Sequence, residues 1–338
     1  MIKIMYVARR ASLFALLLFS MQASAATWRY AIEESLSEVQ GVYAAKFKEV
    51  IESNSNHEVL IYPFGTLGES ADVMEQAQAG ILQFVDQSPG FTGSLIPETQ
   101  LFLMPYILPE KKSEVRYFYK HARVIKENFK ALYAKQNLEL LRMFPEGAVA
   151  ITTQKEFRSP EDLKGQKIRV MTSPLLVETY KAFGAVPTPL PWGEVFGALQ
   201  TNMIQGQENP WFYIESGKLY EVTEVITDVG HNIFTTAIMA NLDFYASLPK
   251  AEQQLIQLAS ETALDFILDY QDGLTEASRA KIKNAKPSIK FVTLSDAERA
   301  PFRKNAKQVE AKFIEMTGPS GQAILNQLKV DLDAARNQ

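Results

Sequence analysis

Residues 28–85, WRYAIEESLSEVQGVYAAKFKEVIESNSNHEVLIYPFGTLGESADVMEQAQAGILQFV, carry the pattern that decides the fold. Trp28 to Ile32 reads as a strand. From Glu38 to Ser53, Val39, Val42, Tyr43, Phe47, Val50 and Ile51 recur near the helical period, with charges on the other face. Glu58 to Pro63 alternates as a second strand and ends in the turn Pro63-Phe64-Gly65. Asp72 to Gly80 reads as a helix closed by glycine, and Leu82 to Val85 as a short buried strand. Strand and helix in alternation are the signature of a parallel sheet covered by helices.

The alternation resumes at Leu138 to Phe144, at Lys167 to Met171 with the helix Pro174 to Phe183, and at Leu199 to Ile204 and Ile233 to Ala240. The fold class is therefore α/β. The last ninety residues differ. Lys250 to Ala285 holds no proline and one glycine, Gly273, and Leu255, Leu258, Ala259, Ala263, Phe266, Ile267 and Tyr270 form an apolar stripe. One helix of about 36 residues spans roughly 54 Å and would brace two domains. The alternative is two helices broken near Gly273, since glycine costs about 1 kcal/mol in a helix interior. Asp296 to Met316, the Gly318-Pro319-Ser320-Gly321 break and Ala323 to Ala335 read as helix, turn, helix.

At 338 residues, 46% hydrophobic and 22% charged, the chain has the length of two domains and the composition of a folded protein. A net charge of −4 without a basic block argues against nucleic-acid binding, which needs clustered cations. With no cysteine, disulfides, thiolate metal sites and cysteine nucleophiles are excluded. Residues 1–25 read as a signal peptide: Lys3, Arg9 and Arg10, then the apolar stretch Leu13 to Met21, then Ala23-Ser24-Ala25 as cleavage site. Removing those three cations takes the charge from −4 to −7. The apolar stretch is about half a bilayer crossing. A periplasmic location is expected.

Catalytic signatures are missing. His57, His121 and His231 stand at no metal-ligand spacing, and no nucleophile elbow, phosphate loop or dinucleotide fingerprint occurs. Neither a cofactor nor a metal is expected, and an enzyme is the weaker reading.

The informative constellation lies further on. In Lys167-Ile168-Arg169-Val170-Met171, Arg169 points to the face opposite Ile168 and Val170. It is either a solvated edge residue or a planar fork for a ligand carboxylate at the end of a parallel strand. Pro187, Pro189, Pro191 and Trp192 form a rigid segment delivering one large aromatic. Gly206-Gln207-Glu208-Asn209-Pro210 precedes the run Trp211-Phe212-Tyr213, which serves either a pocket or the core.

These stretches, with Leu163-Lys164-Gly165, Leu199-Gln200-Thr201 and Tyr62-Pro63-Phe64-Gly65-Thr66-Leu67-Gly68, resemble the substrate-binding subunits of tripartite ATP-independent periplasmic (TRAP) transporters from about Trp28 to Asp333. The resemblance implies a two-lobed periplasmic binding protein with hinge-crossing strands, closing on its ligand. The expected lobes are 26–149 plus about 238–278, and 150–237 plus about 279–338, with the long helix of about 250–285 spanning both.

Trp28-Arg29-Tyr30-Ala31, Ser88 to Pro97, Pro189 to Val195 and Phe234-Thr235-Thr236-Ala237 are similar to the ectoine-binding branch, which, like this chain at Ala148-Val149, lacks an arginine after the Gly147 turn. For that zwitterionic compatible solute, the resemblance implies that Arg169 and Asn209 hold the carboxylate and Glu34 faces the amidinium. Phe91, Trp192, Tyr213 and Phe234 would supply the ring walls. Glu34 could equally be a solvated carboxylate beside Glu33. The branch tends to have tryptophan where this chain has Tyr213 and Ile233; Trp211 compensates if its side chain points inward. Other small carboxylates, zwitterions or organosulfonates are the alternative ligands, and TRAP membrane permease subunits the implied partners, in osmoprotective uptake.

Overall fold

The computed structural model describes residues 25–338; the signal-peptide expectation, apart from Ala25, lies outside the described residues. The strands are β1 (Thr27–Ala31), β2 (Glu58–Tyr62), β3 (Phe84–Gln87), β4 (Leu138–Thr153), β5 (Lys167–Val170), β6 (Val186–Pro189), β7 (Gly206–Pro210), β8 (Val225–Asp228), β9 (Ile233–Asn241) and β10 (Lys290–Thr293). They run in the order β2-β1-β3-β9-β4-β7-β5-β6, with β8 on β4 and β10 on β8.

The arrangement makes two lobes from one long strand. β4 pairs antiparallel with β9 from Leu138 to Ala148, then with β7 from Val149 to Thr153 and with β8 from Ile151 to Thr153. Its register shifts between Pro145 and Gly147, where Gly147 takes φ 126°, a backbone that strains any other residue. The strand thus leaves one sheet for the other at that point. β1, β2 and β3 are parallel in the first lobe, as are β5, β6 and β7 in the second, as the strand–helix alternation predicts. Pro187 and Pro189, read as a rigid segment, form the edge strand β6, where missing N–H donors cost no ladder bond.

Burial follows the apolar periodicity. Val39, Tyr43, Phe47 and Ile51 on the helix Val39–Ser53 pack with the helix Lys250–Tyr270 on one face of the first sheet. Fully burying each such side chain contributes about 1.5–3 kcal/mol. Gly41 on that helix lets the Ser35–Leu36 backbone approach so closely that a Cβ would strike it. That backbone carries the turn after β1, so Gly41→Ala is expected to cost about 1–3 kcal/mol. Thermal unfolding checks this; an unchanged melting temperature would mean the turn moves freely.

Three expectations are corrected. The stretch 250–285 is two helices, Lys250–Tyr270 and Leu274–Ala285, because Gly273 adopts φ 81° between them. The element that runs between lobes is Asp296–Arg336, kinked at Gly318: Phe302 and Ala306 join the second lobe's core, whereas Val309, Phe313, Leu325, Leu328 and Leu332 join the first's. Residues from Val309 onward therefore pack in the first lobe, not the second. Leu199 to Ile204 is not a strand but the end of the helix Val195–Gln200 and a turn, with Asn202 at φ 56°.

Candidate functional site

The turn leaving β1 presents two successive acids. Glu33 accepts from the Ser70 hydroxyl at 2.6 Å and the Ser88 backbone N–H at 2.8 Å, while Gln40 on the following helix accepts from the Glu33 N–H at 2.8 Å. The Gln40 N–H donates to Glu34 at 2.7 Å, and its side-chain amide to Glu146 at 3.0 Å. All three carboxyls are buried. Desolvation raises Glu33 from 4.5 to about 8 and Glu146 to about 7. Glu34 is raised well above its ordinary value by burial first and then by Glu146. Its Oε1 and the Oε2 of Glu146 are buried without a partner among the described residues.

Across the cleft, β5 presents Arg169, only 2% exposed. Its Nε donates to the Leu190 carbonyl at 2.9 Å, its guanidinium lies 6.0 Å from the Trp192 ring, and its Nη2 is buried and unpartnered among the described residues. Burial lowers it to about 10, so it stays charged at neutral pH. No carboxylate of the described residues lies within ion-pair distance of it. A buried cation left in this state calls for an anion from outside the chain.

Phe91, Arg169, Trp192, Asn209, Tyr213 and Phe234, all singled out by the sequence, line one cavity between the lobes. Asn209 sits on β7 with its amide on Gln207. Trp192 stands edge-on to Tyr213 at 4.7 Å between ring centroids, and Tyr213 lies 6.3 Å from Phe234. The Tyr213 hydroxyl donates to the Glu33 carbonyl at 2.9 Å, and the Ser173 hydroxyl to Gln100 at 2.7 Å, so hydrogen bonds cross from lobe to lobe. The lobes are closed: the cavity measures about 20 Å³, and solute enters only when they part.

Glu34 does not line this cavity; Glu33 does, with Gln40, Ser70, Phe64 and Met171. Glu34 stands behind, near enough that its charge is the largest acting on the Tyr213 hydroxyl. Sequence reading missed Glu33 because neighbouring acids at a strand end point to opposite sides, and nothing local selects the inward one. Trp211 does not compensate for a missing pocket tryptophan: its indole N–H donates to Asp228 at 2.8 Å, and Arg279 covers its ring at 4.4 Å, away from the cavity. Ile233 also faces elsewhere, so its departure from the branch removes no wall here.

Residues 30–316 match the family model described as bacterial extracellular solute-binding protein, family 7. The chain belongs to that family. Among family 7 relatives, it is 60% identical over 315 residues, 93% of each chain, to the ectoine/5-hydroxyectoine-binding periplasmic protein UehA of Ruegeria pomeroyi. It is 53% identical to the ectoine-binding periplasmic protein TeaA of Halomonas elongata, over 97% of this chain and 96% of that one. The solved periplasmic ectoine-binding protein of the TeaABC TRAP transporter superposes with a TM-score of 0.90 at 54% identity, over 91% of this chain and 99% of the other. The two-lobed α/β fold and the TRAP resemblance are thereby borne out. This family 7 chain is a solute-binding transport protein, not an enzyme. The expected periplasmic location agrees with both relatives' names, and no helix among the described residues is long and apolar enough to cross a membrane.

Proposed function

We propose that the protein captures ectoine or hydroxyectoine in the periplasm by lobe closure and delivers it to a TRAP membrane permease. The observation that carries this reading is the dipolar cavity: a buried guanidinium with no ion pair among the described residues on one lobe faces the buried Glu33 carboxyl on the other, with aromatic rings between. A small zwitterion with a carboxylate and a delocalised cyclic cation matches both ends. Arg169 clamps the carboxylate, Asn209 adds a hydrogen bond, and Glu33 with Glu34 behind it faces the amidinium. Phe91, Trp192, Tyr213 and Phe234 give ring faces worth about 0.5–2 kcal/mol each against a partly desolvated cation. The names of UehA and TeaA support the same ligand class.

Isothermal titration with ectoine, hydroxyectoine, glycine betaine, taurine and succinate tests the reading. Both ectoines are expected to bind with Kd of about 1 μM or tighter, near −8 kcal/mol. Tighter binding of taurine or succinate than of either ectoine would overturn it. Tyr213→Phe removes the hydroxyl that reaches Glu33 and keeps the ring on Trp192. With one hydrogen bond of the closed form lost, ectoine affinity is expected to fall about 2–10-fold. Unchanged affinity would show that the crossing bond does not hold the lobes shut.

A further inference from the structure

The strands that carry Asn209 and Phe234 have a second cavity behind them, of about 450 Å³. Successive strand residues face opposite sides. Asn209 and Phe234 line the solute cavity; Ile233 lines the one behind, and Glu208 turns its carboxylate to His231 in the rear wall. The rear cavity is also bounded by Pro145 and Ala148 of β4 at the lobe crossing, and by Gln271 and Thr275 at the helix break. Gln271 ties these together, donating to the Pro145 carbonyl at 2.6 Å.

Three polar atoms in this wall are buried without a partner among the described residues: Nδ1 of His231, the hydroxyl of Tyr106 and Nε of Arg299. The residues that carry them adjoin one another and line the same cavity. The Tyr106 N–H donates to the His231 carbonyl at 2.6 Å, and the Arg299 guanidinium carbon stands 3.1 Å from where a Cβ on Gly230 would be. His231 is 2% exposed, with Nε2 held 3.0 Å from Glu208. The acids facing the cavity satisfy Arg299 only weakly: Asp228 is occupied by Arg279 at 2.7 Å and by Trp211, and Glu110, its ion-pair partner at 4.0 Å, is largely exposed and shared with Arg303 at 3.6 Å. Glu276 also lines it. A guanidinium and a phenol that both donate are matched by a small oxygen-rich anion.

We propose that this rear cavity binds a small oxyanion, a carboxylate or a phosphate, and that its occupant strengthens solute binding. The cavity and the solute cleft lie on opposite faces of the same hinge strands. Parting the lobes at the cleft swings their rear edges together, so the rear space belongs to the closed form. An anion held there selects that form and raises solute affinity; by linkage, solute raises anion affinity equally. The coupling rests on the front cavity being the solute site, whereas occupancy of the rear one does not.

The test has two arms. Melting temperature is measured on solute-free protein in malonate or inorganic phosphate against chloride at equal ionic strength, and ectoine is then titrated under the same conditions. Malonate or phosphate is expected to raise the melting temperature by mass action and to lower the ectoine Kd about threefold or more. Arg299→Gln and Tyr106→Phe should each abolish both effects while leaving ectoine affinity in chloride unchanged. No anion-dependent melting shift in the wild type, or the same shift in both variants, overturns the site. A shift without a change in ectoine Kd retains the site and overturns the coupling. If neither ectoine binds at all, the solute reading falls, and the melting arm still decides occupancy.

Discussion

Arg169→Met is expected to weaken ectoine binding by about 10²–10³-fold while leaving the solute-free protein at least as stable as the wild type. Both halves come from the same geometry. The guanidinium has one hydrogen bond, to the Leu190 carbonyl, and no ion pair among the described residues although almost fully buried. A ligand carboxylate would complete it with two charge-assisted bonds, each worth about 1.5–3 kcal/mol. Without solute, that buried charge costs desolvation energy that methionine of similar length does not incur. Titration calorimetry and thermal melting together check the pair of effects. A drop in both affinity and stability would mean Arg169 is a structural residue whose charge is already satisfied; unchanged affinity would remove it from the site.

Ectoine affinity is expected to rise with pH between about 5 and 8.5, with protons released on binding. Glu33 is held up to about 8 and Glu146 to about 7, chiefly by burial, and Glu34 is raised in the same sense. These carboxyls therefore keep protons in the folded protein that the unfolded chain has given up above 4.5. Their contribution to stability is fully present below that value and is lost as pH rises through about 7 to 8, so the solute-free melting temperature should fall across this window. A ligand cation favours the ionised carboxylate, so binding expels a proton and gains at most about tenfold in affinity per proton per pH unit. Arg169, near 10, does not titrate in this range. Calorimetry in buffers of differing ionisation enthalpy reads the proton release directly. Zero release with a flat affinity profile would show that no acid at the site exchanges a proton on binding. Glu33→Gln should flatten the profile if Glu33 is the group responsible.

The strand–helix alternation from Trp28 to Val85 made the first lobe legible because its first strands and the helix between them are amphipathic at their own periods and Leu82 to Val85 is a short apolar run. Gly273 was legible as a possible break but not as a certain one, since a single glycine is tolerated in a helix unless the backbone takes a positive φ, as here at 81°. Arg169 and Trp192 stood out by residue type in an apolar and a proline-rich setting, and Asn209 by its place in a polar turn beside three aromatics and by the family resemblance. Glu33 did not, because its role depends on burial by Ser70 and Ser88, which lie 37 and 55 residues away. The direction taken by Trp211 depends on Asp228 and Arg279 in the same way. Distant partners of this kind leave no local trace.

The kinked helix Asp296–Arg336 sets the order in which the molecule can assemble. Leu325, Leu328 and Leu332 wall a core whose other members include Val73, Phe118 and Tyr133. A nascent chain cannot bury that surface until Leu332 has been synthesised. Contacts of such long sequence separation make folding slow. The core around Val73, Phe118 and Tyr133 thus stays unfinished until that helix has emerged and docked.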